Sequence, residues 1–488
     1  MTADLDAHGA GHLLRADGQE DVCLALYRPS TGRRRTTALL ADLVLPLPGE
    51  REVHSNASFT GGYVVRAASL AAANGYGLAL LHSHPYGVGW QGMSSVDHAT
   101  EQSYARVAET LTRHPLVGMT LAGDRTWSAR TWDPDRRHRD VENVRVVGPR
   151  LRVHWNDTTR PAPVTTDAQV RTVSAWGEAV QRDLARLRIL VVGAGTVGLD
   201  VAIRLVQAGV RNVAVMDFDT VEEINLDRLV TVSRLDAVLF RSKVHVARRA
   251  LRTAATSAVP EIETFDLSVC DPEGEQVALD YDVIFSCVDR PWPRAVLNQI
   301  AYSDLIPVVD GGLAITPFAD HGMRNATVRT HVITPGRPCL LCNSQIDGAQ
   351  VARDRAGLFD DNTYIKGTGL DAPARENVSL LAPSVTSSML SQFVSLAVAP
   401  GGRGAPPPLR FSLATHALEH LAAETRDGCP YEPMTGVGDK RAQLSQPHAA
   451  ADEARCVRAA NARRPRVRLG RLAQDTVDGA FSTLQRLA

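Results

Sequence analysis

The 488-residue chain lacks an apolar run long enough to cross a membrane, and its N-terminus lacks a basic region followed by an apolar stretch. A membrane-spanning helix needs about 20 mostly apolar residues, and a secretory signal needs both of the missing N-terminal features. The seven cysteines are odd in number and spread over a long chain, which argues against a disulfide framework. These absences predict a cytoplasmic protein with no membrane partner.

An excess of charge of either sign is also lacking, because 53 Lys and Arg residues face 54 Asp and Glu residues. A balanced chain gives no bulk electrostatic case for binding nucleic acid. Lysine itself is scarce, with only Lys243, Lys366 and Lys440. A lysine at a motif position is therefore harder to attribute to a surface charge. The length predicts two or more domains.

A first candidate site follows the predicted strand Leu78–Leu81, which leads into His82. His82 and His84 are two residues apart, so both rings point to one face of the strand. Asp97 completes the string His-x-His-Pro…Ser-x-x-Asp. Two imidazoles and a carboxylate form a common catalytic zinc set that leaves the fourth position for water. The pattern predicts a Zn²⁺ site that hydrolyses amide bonds.

Amide hydrolysis also needs an oxyanion donor and a general base. Ser94 can donate a hydrogen bond to the developing oxyanion. Glu20, next to the predicted strand Val22–Tyr27, is the candidate base, and Glu50 and Glu52 are alternatives.

The complete string resembles the motif of the JAB/MPN (JAMM) metalloproteases, whose members cleave isopeptide or peptide bonds after ubiquitin-like tails. The resemblance implies an α+β domain over residues 1–135. It also implies zinc ligation by His82, His84 and Asp97, oxyanion donation by Ser94 and general-base action by Glu20. The spacer between Pro85 and Ser94 is longer than in the usual pattern, which leaves the loop geometry open.

A second candidate site is the string Gly193-Ala-Gly195-Thr-Val-Gly198, between a predicted strand and a predicted helix. Backbone N–H groups at such a helix start can hold phosphates. Asp217 ends the next predicted strand, where a carboxylate meets a ribose hydroxyl pair. The β–α–β order predicts a doubly wound parallel sheet, which a dinucleotide-dependent oxidoreductase would share.

The residues after Asp217 favour a triphosphate over a dinucleotide. Asn225 and Arg228 place an amide and a cation just past the ribose position, and Lys243 adds a second cation. A triphosphate needs such cations to neutralise its terminal phosphates. Asp289, just past another predicted strand, can hold Mg²⁺ by one carboxylate.

This order resembles the ThiF/ubiquitin-activating-enzyme superfamily, whose members adenylate the C-terminal glycine of ubiquitin-like proteins. The resemblance implies a Rossmann-like α/β ThiF domain over residues 166–440 that binds ATP and Mg²⁺. It implies Asp217 on the ribose, Asn225, Arg228 and Lys243 around the phosphates, and Asp289 on Mg²⁺. Arg171 matches an arginine that reaches the partner's ATP in homodimeric members, and it therefore implies a homodimer.

Cysteines in this region match the structural zinc site of the family in part. Cys339 and Cys342 fit the first Cys-x-x-Cys pair, whereas Cys429 is followed by Glu432 where the last cysteine belongs. Three thiolates and a carboxylate can bind Zn²⁺, and a lost site is the alternative. Residues 343–428 contain no cysteine. By resemblance, such a member stops at the acyl adenylate and passes it to a partner's thiol, persulfide or amine.

The sequence thus predicts a bifunctional enzyme that cleaves after, and adenylates, the Gly-Gly tail of a ubiquitin-like or sulfur-carrier protein. A conjugating enzyme or a sulfur donor is the expected further partner. Carrier activation for cofactor or metabolite synthesis and a non-catalytic scaffold are alternatives, and an NAD oxidoreductase is a more distant one. Residues 136–165 are predicted to be a linker, 346–378 a long loop and 441–488 a basic tail.

Overall fold

The computed structural model describes residues 1–54, 56–318, 322–360, 378–421 and 424–487. The chain divides into two compact units. The first comprises Met1–Ala162, Tyr302–Leu305 and Glu432–Arg441, and the second comprises Pro163–Ala301, Ile306–Tyr431 and Ala442–Ala488. Among the described helices, none combines the length and the apolar character that a membrane crossing requires.

The first unit is built on a six-stranded sheet with the order β2-β1-β5-β6-β7-β8 and two small hairpins, β3-β4 and β9-β10. Its strands are β1 (Val22–Thr31), β2 (Thr36–Val44), β3 (Arg51–His54), β4 (Asn56–Phe59), β5 (Gly77–His84), β6 (Leu116–Ala122), β7 (Trp127–Trp132), β8 (His138–Asp140), β9 (Asn143–Val147) and β10 (Leu151–Trp155). Its helices are α1 (Ala3–Leu13), α2 (Gly61–Asn74) and α3 (Ser95–Thr112). Leu24 and Leu80 pack with α2 and α3 on one face of the sheet, and Cys23 and Leu81 pack with α1 and β9 on the other.

Residues 136–165 differ from the predicted linker, because β8, β9 and β10 lie within them and belong to the first unit. Val144 and Val146 are buried in the core on one face of the large sheet. Four of the five residues of β9 are buried, including Arg145 between the two valines. That arginine and the nearby prolines obscured the strand in the sequence.

The second unit contains an eight-stranded sheet with the order β13-β12-β11-β14-β15-β16-β17-β18. Its strands are β11 (Arg188–Val192), β12 (Asn212–Met216), β13 (Glu261–Phe265), β14 (Val283–Ser286), β15 (Val308–Pro317), β16 (Met323–Ile333), β17 (Leu409–Ser412) and β18 (Ala417–His420). The five strands β11 to β15 run parallel, and β16, β17 and β18 extend the sheet in antiparallel fashion.

As in the predicted doubly wound arrangement, the connections between the parallel strands contain helices. The helices of the second unit cover both faces of the sheet. They are α4 (Val170–Trp176), α5 (Glu178–Arg186), α6 (Thr196–Gln207), α7 (Arg234–Val238), α8 (Lys243–Ala254), α9 (Pro272–Ala278), α10 (Pro291–Ser303), α11 (Gly348–Arg355), α12 (Ala382–Ala397), α13 (Ala449–Ala462) and α14 (Pro465–Leu487). Asp310 on β15 binds Arg294 of α10, whereas a Cβ on the next residue, Gly311, would meet Met389 of α12. Neighbouring residues of a strand point to opposite faces, so α10 and α12 lie on opposite sides of the sheet.

Two predicted irregular segments contain helices. Helix α11 lies within residues 346–378, where a long loop was expected, and residues 361–377 of that segment lie outside the described residues. The predicted basic tail 441–488 contains α13 and α14 and belongs to the second unit from Ala442 onward. Its arginines alternate with alanine and other small residues, so the charge concealed the helical pattern.

Candidate functional site

The three predicted zinc ligands of the first unit lie together. One ligand atom from each of His82, His84 and Asp97 lies within 4.8 Å of the other two. Oδ2 of Asp97 is 3.6 Å from Nε2 of His82 and 3.5 Å from Nε2 of His84. Burial acts to raise the pKa of Asp97, but hydrogen bonds from the two imidazoles outweigh it and hold that pKa well below its usual range. Two imidazoles and an ionised carboxylate are donors that fit Zn²⁺.

The N-terminus of α3 aims Asp97 at the two histidines. Ser94 Oγ accepts a hydrogen bond from Asp97 N at 3.1 Å, and Asp97 Oδ2 accepts one from Ser94 N at 2.8 Å. This capping box satisfies N–H groups that the helix itself leaves unpaired. The Ser94 hydroxyl therefore serves as a helix cap, and its role as an oxyanion donor stays a prediction.

Glu20 lies beside His84. Strands β1 and β5 are antiparallel, and Val22 pairs with His82. Continuing this register by two residues places Glu20 opposite His84 and on the same face. The hydrogen bond to Asp97 is the main cause of the raised pKa of His84, and the Glu20 carboxylate adds to it.

The alternative base Glu50 is bound elsewhere. Arg66 Nε donates to Glu50 Oε1 at 2.8 Å, and a terminal nitrogen of Arg66 donates to Oε2 at 2.6 Å. These bonds lower the pKa of Glu50. Because a carboxylate held by a guanidinium is a poor proton acceptor, the geometry favours Glu20 over Glu50, and the role of Glu20 as the base stays a prediction.

A buried ion pair supports His82 through the neighbouring strand. Thr120, the register partner of His82 on β6, has its Oγ1 3.3 Å from His82 Nε2. Arg130 donates to this Oγ1 at 2.8 Å and, through Nε, to Glu101 Oε2 at 2.9 Å. Trp132 Nε1 donates to the same carboxylate at 2.6 Å. Glu101 and Arg130 are 0% and 2% exposed, so the pair is held in an almost dry environment.

Replacing Glu101 by alanine is expected to destabilise the first unit by about 3–5 kcal/mol, because it leaves the buried Arg130 without its counter-charge. Hydrogen–deuterium exchange of Gly77–His84 and Leu116–Ala122 measures the loss as faster exchange. The double variant Glu101→Ala/Arg130→Met should recover much of the protection, since it removes both charges. Equal exchange in the single variant and the unchanged protein would show that the pair contributes nothing.

In the second unit, the glycine motif forms a tight turn between β11 and α6. Gly193 has a φ of 96°, which residues with side chains rarely adopt. A Cβ at Gly198 would lie 1.8 Å from Gly193 O. Gly195 is the N-cap of α6. The turn therefore brings the first N–H groups of α6 to the carboxyl edge of the sheet, where a phosphate can bind.

Asp217 joins this turn to the end of β12. Its Oδ2 accepts a hydrogen bond from Ala194 N at 2.7 Å, and its Oδ1 accepts one from Asp219 N at 2.7 Å. Burial raises the pKa of Asp217, although the charge of Lys243 opposes the shift.

Lys243 binds one carboxylate directly and is influenced by the charge of two others. It is the first residue of α8, and its Nζ donates to Asp219 Oδ2 at 2.6 Å. Burial acts to lower the pKa of Lys243, but the charges of Asp217, Asp219 and Asp289 outweigh it and raise the pKa above its usual value. The predicted ribose carboxylate, magnesium carboxylate and phosphate cation thus occupy one sheet edge.

Arg228, unlike Lys243, forms its hydrogen bonds within its own segment of the chain. It donates to Ile224 O at 2.5 Å and to Asp227 Oδ1 at 3.1 Å. Asn225 is used locally too, because its Oδ1 accepts from Glu222 N at 3.0 Å. The phosphate roles of Asn225 and Arg228 stay predictions. Arg171, on α4, is exposed, and its role in a homodimer is likewise untested.

Three of the four predicted structural zinc ligands form a thiol cluster. Cys339 Sγ lies 3.5 Å from Cys342 Sγ and 3.7 Å from Cys429 Sγ. Burial raises the pKa of the Cys339 thiol to about 12, so bound metal would have to displace a proton. The metal-compatible group found among the described residues contains these three thiols and not Glu432. Three thiols fit Zn²⁺ as donors, and the fourth ligand is not assigned.

Two residues of these sites were missed by sequence reasoning. Asp219 holds Lys243 through its side chain and also through its carbonyl, which accepts from Lys243 N at 2.9 Å. Its position two residues after Asp217 was the available signal. Thr120 had no comparable signal, because only strand pairing brings it to His82.

A model of the ThiF family matches residues 166–426, which is more than half of the chain. The chain belongs to the ThiF family. The matched residues include the glycine motif, the carboxylates around Lys243 and the first two cysteines of the thiol cluster. Residues 1–165 lie outside the match.

Curated relatives share part of the ThiF domain. The molybdopterin-synthase adenylyltransferase of Escherichia coli (strain K12) is 32% identical over 170 residues, which is 34% of this chain and 63% of the relative. The adenylyltransferase and sulfurtransferase UBA4 of Meyerozyma guilliermondii is 32% identical over 140 residues, which is 28% of this chain and 32% of the relative. The chain thus spans less than two thirds of the length of either relative.

Part of the chain is also similar to solved structures. A crystal structure of E. coli MccB with ATP covers 55% of this chain and 74% of its own, at 14% identity and a TM-score of 0.42.

Proposed function

We propose that the ThiF domain adenylates the C-terminal carboxylate of a ubiquitin-like or sulfur-carrier protein, with Mg²⁺-ATP as the second substrate. The observation that carries this proposal is the position of Lys243, whose Nζ donates to Asp219 Oδ2 at 2.6 Å at the sheet edge where Asp217 also binds the glycine-rich turn. A half-buried ammonium that is held by one carboxylate, itself 47% exposed, can exchange that carboxylate for a phosphate. Family membership supports the same reaction class.

Each group at this edge has a task in that reaction. N–H groups at the start of α6 would hold phosphate oxygens, Asp217 would bind the ribose, and Lys243 would leave Asp219 to neutralise the triphosphate. Asp289 would hold Mg²⁺, which neutralises phosphate charge when bound. The carrier's carboxylate oxygen then attacks the α-phosphorus, the bond from that phosphorus to the bridging oxygen breaks, and pyrophosphate leaves.

The fate of the acyl adenylate follows from the cysteines. Residues 343–428 hold no cysteine, which supports release to a partner's thiol, persulfide or amine. Two of the relatives carry sulfurtransferase in their names. We therefore favour a sulfur-carrier protein over other ubiquitin-like proteins as the substrate.

The test is exchange of labelled pyrophosphate into ATP, driven by a synthetic peptide that ends in Gly-Gly. Exchange is expected with the free carboxylate and not with the C-terminal amide, because only the carboxylate can form an acyl phosphate. Asp289→Ala should abolish it, whereas Asp135→Ala, at an exposed aspartate, should not. Absence of exchange combined with tight NAD binding would instead favour an oxidoreductase, and absence of binding to either nucleotide would favour a scaffold.

A second function, hydrolysis of an amide bond after such a tail, is supported by the convergence of His82, His84 and Asp97. These residues would hold Zn²⁺, which when bound lowers the pKa of water towards neutrality. Glu20 would accept a proton from the attacking water and return it to the leaving amine. This assignment is that of a JAB/MPN-type metalloprotease. Maturation of a precursor and removal of a conjugate are both compatible with it.

The homodimer and the structural zinc complete the proposal. Arg171 is exposed on α4, so it is accessible to a second copy of the chain. The cluster of Cys339, Cys342 and Cys429 supports a structural Zn²⁺ that would link segments 90 residues apart in the chain.

A further inference from the structure

The C-terminal segment, defined as residues 442–475, follows the region matched by the ThiF family and returns to the carboxyl edge of the parallel sheet. Gln446 N donates to Cys270 O at 2.8 Å, and His448 N donates to Asp271 Oδ1 at 2.7 Å. Both acceptors lie shortly after β13, at the edge where Asp217 ends β12. The segment therefore lies at the sheet edge that carries the proposed nucleotide site.

His448 contacts an aromatic side chain on each side of that site. Its ring centroid lies 5.1 Å from that of Phe218 and 5.0 Å from that of Trp292, with interplanar angles of 79° and 72°. Phe218 directly follows Asp217, and Trp292 is three residues after Asp289. Strand β11 lies between β12 and β14 in the sheet and ends at the glycine motif. A ring that contacts both aromatics thus lies near the end of that strand.

The orientation of His448 is fixed by polar contacts. Its Nδ1 lies 2.9 Å from Ser268 Oγ, and Ser268 Oγ also accepts from Cys270 N at 3.1 Å. The side chain is half-buried, so part of the ring remains open to a ligand. Trp292, in contrast, is only 2% exposed and serves as the support behind it.

Arg458 fastens the segment to the loop that carries the nucleotide residues. Its guanidinium donates to Phe218 O at 2.9 Å and to Thr220 Oγ1 at 3.0 Å, and it also binds the carboxylate of Asp266. Arg458 is 7% exposed. The loop between Asp217 and Asp219 is therefore held by the segment, which links the position of His448 to that of the ribose carboxylate.

We propose that the C-terminal segment completes the nucleotide site, with His448 and Phe218 forming the wall against which the purine base of ATP packs. This inference rests on the proposed binding of Mg²⁺-ATP. Aromatic rings bind one another in offset or edge-to-face geometry, and nucleobases stack on such side chains. Phe218 directly follows the proposed ribose residue Asp217, and His448 packs against its ring, so this pair lies next to the position that the base of a bound nucleotide would occupy. His448 is thus a specificity-determining residue supplied from outside the matched domain.

The test compares the binding of Mg²⁺-ATP and of magnesium tripolyphosphate to the full chain by isothermal titration calorimetry. His448→Ala is expected to weaken ATP binding roughly 2- to 10-fold and to leave tripolyphosphate binding unchanged, because only ATP carries a base. His448→Phe should bind ATP nearly as well as the unchanged protein. His420→Ala, at an exposed histidine on β18, is the matched control and should change neither affinity.

The possible outcomes distinguish failure of the base-wall assignment from failure of the adenylation proposal. Equal loss of ATP and tripolyphosphate binding in His448→Ala, or no loss of either, would overturn the base-wall assignment. Failure of the unchanged protein to bind ATP would overturn the adenylation proposal first. Tripolyphosphate binding also reports whether His448→Ala keeps the phosphate-binding turn folded.

Discussion

Lys243→Ala is expected to lower the rate of peptide-dependent ATP–pyrophosphate exchange by at least about 100-fold. Removal of one preorganised group that stabilises charge in a transition state costs on the order of 10²–10³ in rate. Lys243 is preorganised by two bonds to Asp219, one from its side chain and one from its backbone N–H. In the variant, no lysine would neutralise the negative charge of the leaving pyrophosphate, and the carboxylates of Asp217 and Asp289 would repel it.

The measurement is the exchange rate as a function of ATP concentration, which separates kcat from KM. Lys243→Arg should retain part of the rate, since it keeps the charge but not the compact ammonium. Lys440→Ala is the matched control, because Lys440 lies over the ring of Tyr76 in the first unit. An exchange rate in Lys243→Ala within a few-fold of the unchanged protein would contradict the assignment. The thermal unfolding midpoint of Lys243→Ala shows whether repulsion among Asp217, Asp219 and Asp289 destabilises the domain.

The parallel core of the second unit was predictable because its signals are local. Strand β11 (Arg188–Val192) is a short apolar run, the glycine string follows it directly, and strand β12 ends one residue before Asp217. All these features lie between residues 188 and 217. The crossover that joins two such parallel strands is right-handed. The order of carboxylates and cations could therefore be assigned before their distances were known.

The C-terminal helices were not predictable on the same basis. Arg458 belongs to a run of arginines that in the sequence indicates a solvated surface. In the fold it is buried and binds Asp266, 192 residues earlier in the chain. A contact between residues so far apart in the chain produces no periodic pattern in the sequence around either residue. The ring contacts of His448 with Phe218 and Trp292 were not predictable for the same reason.

The sequence predicted the three ligands of the zinc-compatible cluster but not the side chains that pack behind them. The spacing of His82 and His84 fixes their common face, and Asp97 falls at the third position of a helix whose capping string is visible in the sequence. The contact of Thr120 with His82, and the Glu101–Arg130 pair behind it, depend on the register of β5 with β6 and β7. Register is set by tertiary packing, which a single sequence does not encode locally.

Asp97→Asn is expected to remove Zn²⁺ from the first unit and to abolish cleavage of a Gly-Gly isopeptide substrate, with a loss of at least about 100-fold. The amide keeps an oxygen that can accept from Ser94 N, so the capping box and α3 should persist. It loses the negative charge that faces both imidazoles at 3.5 and 3.6 Å. Metal content measured by mass spectrometry and cleavage measured on the same sample report ligand and function together.

Three further variants separate metal binding from the other roles of these residues. Asp347→Asn is the matched control, because Asp347 caps α11 by accepting from Gln350 N at 3.0 Å but does not belong to either metal-compatible group among the described residues. Cys339→Ser should lower the zinc content of the second unit and leave cleavage intact. Glu20→Gln should keep Zn²⁺ and lose cleavage, because the amide cannot accept the proton of the attacking water. Full cleavage by Glu20→Gln would remove Glu20 as the base, and full zinc content in Asp97→Asn would remove the cluster as the metal site.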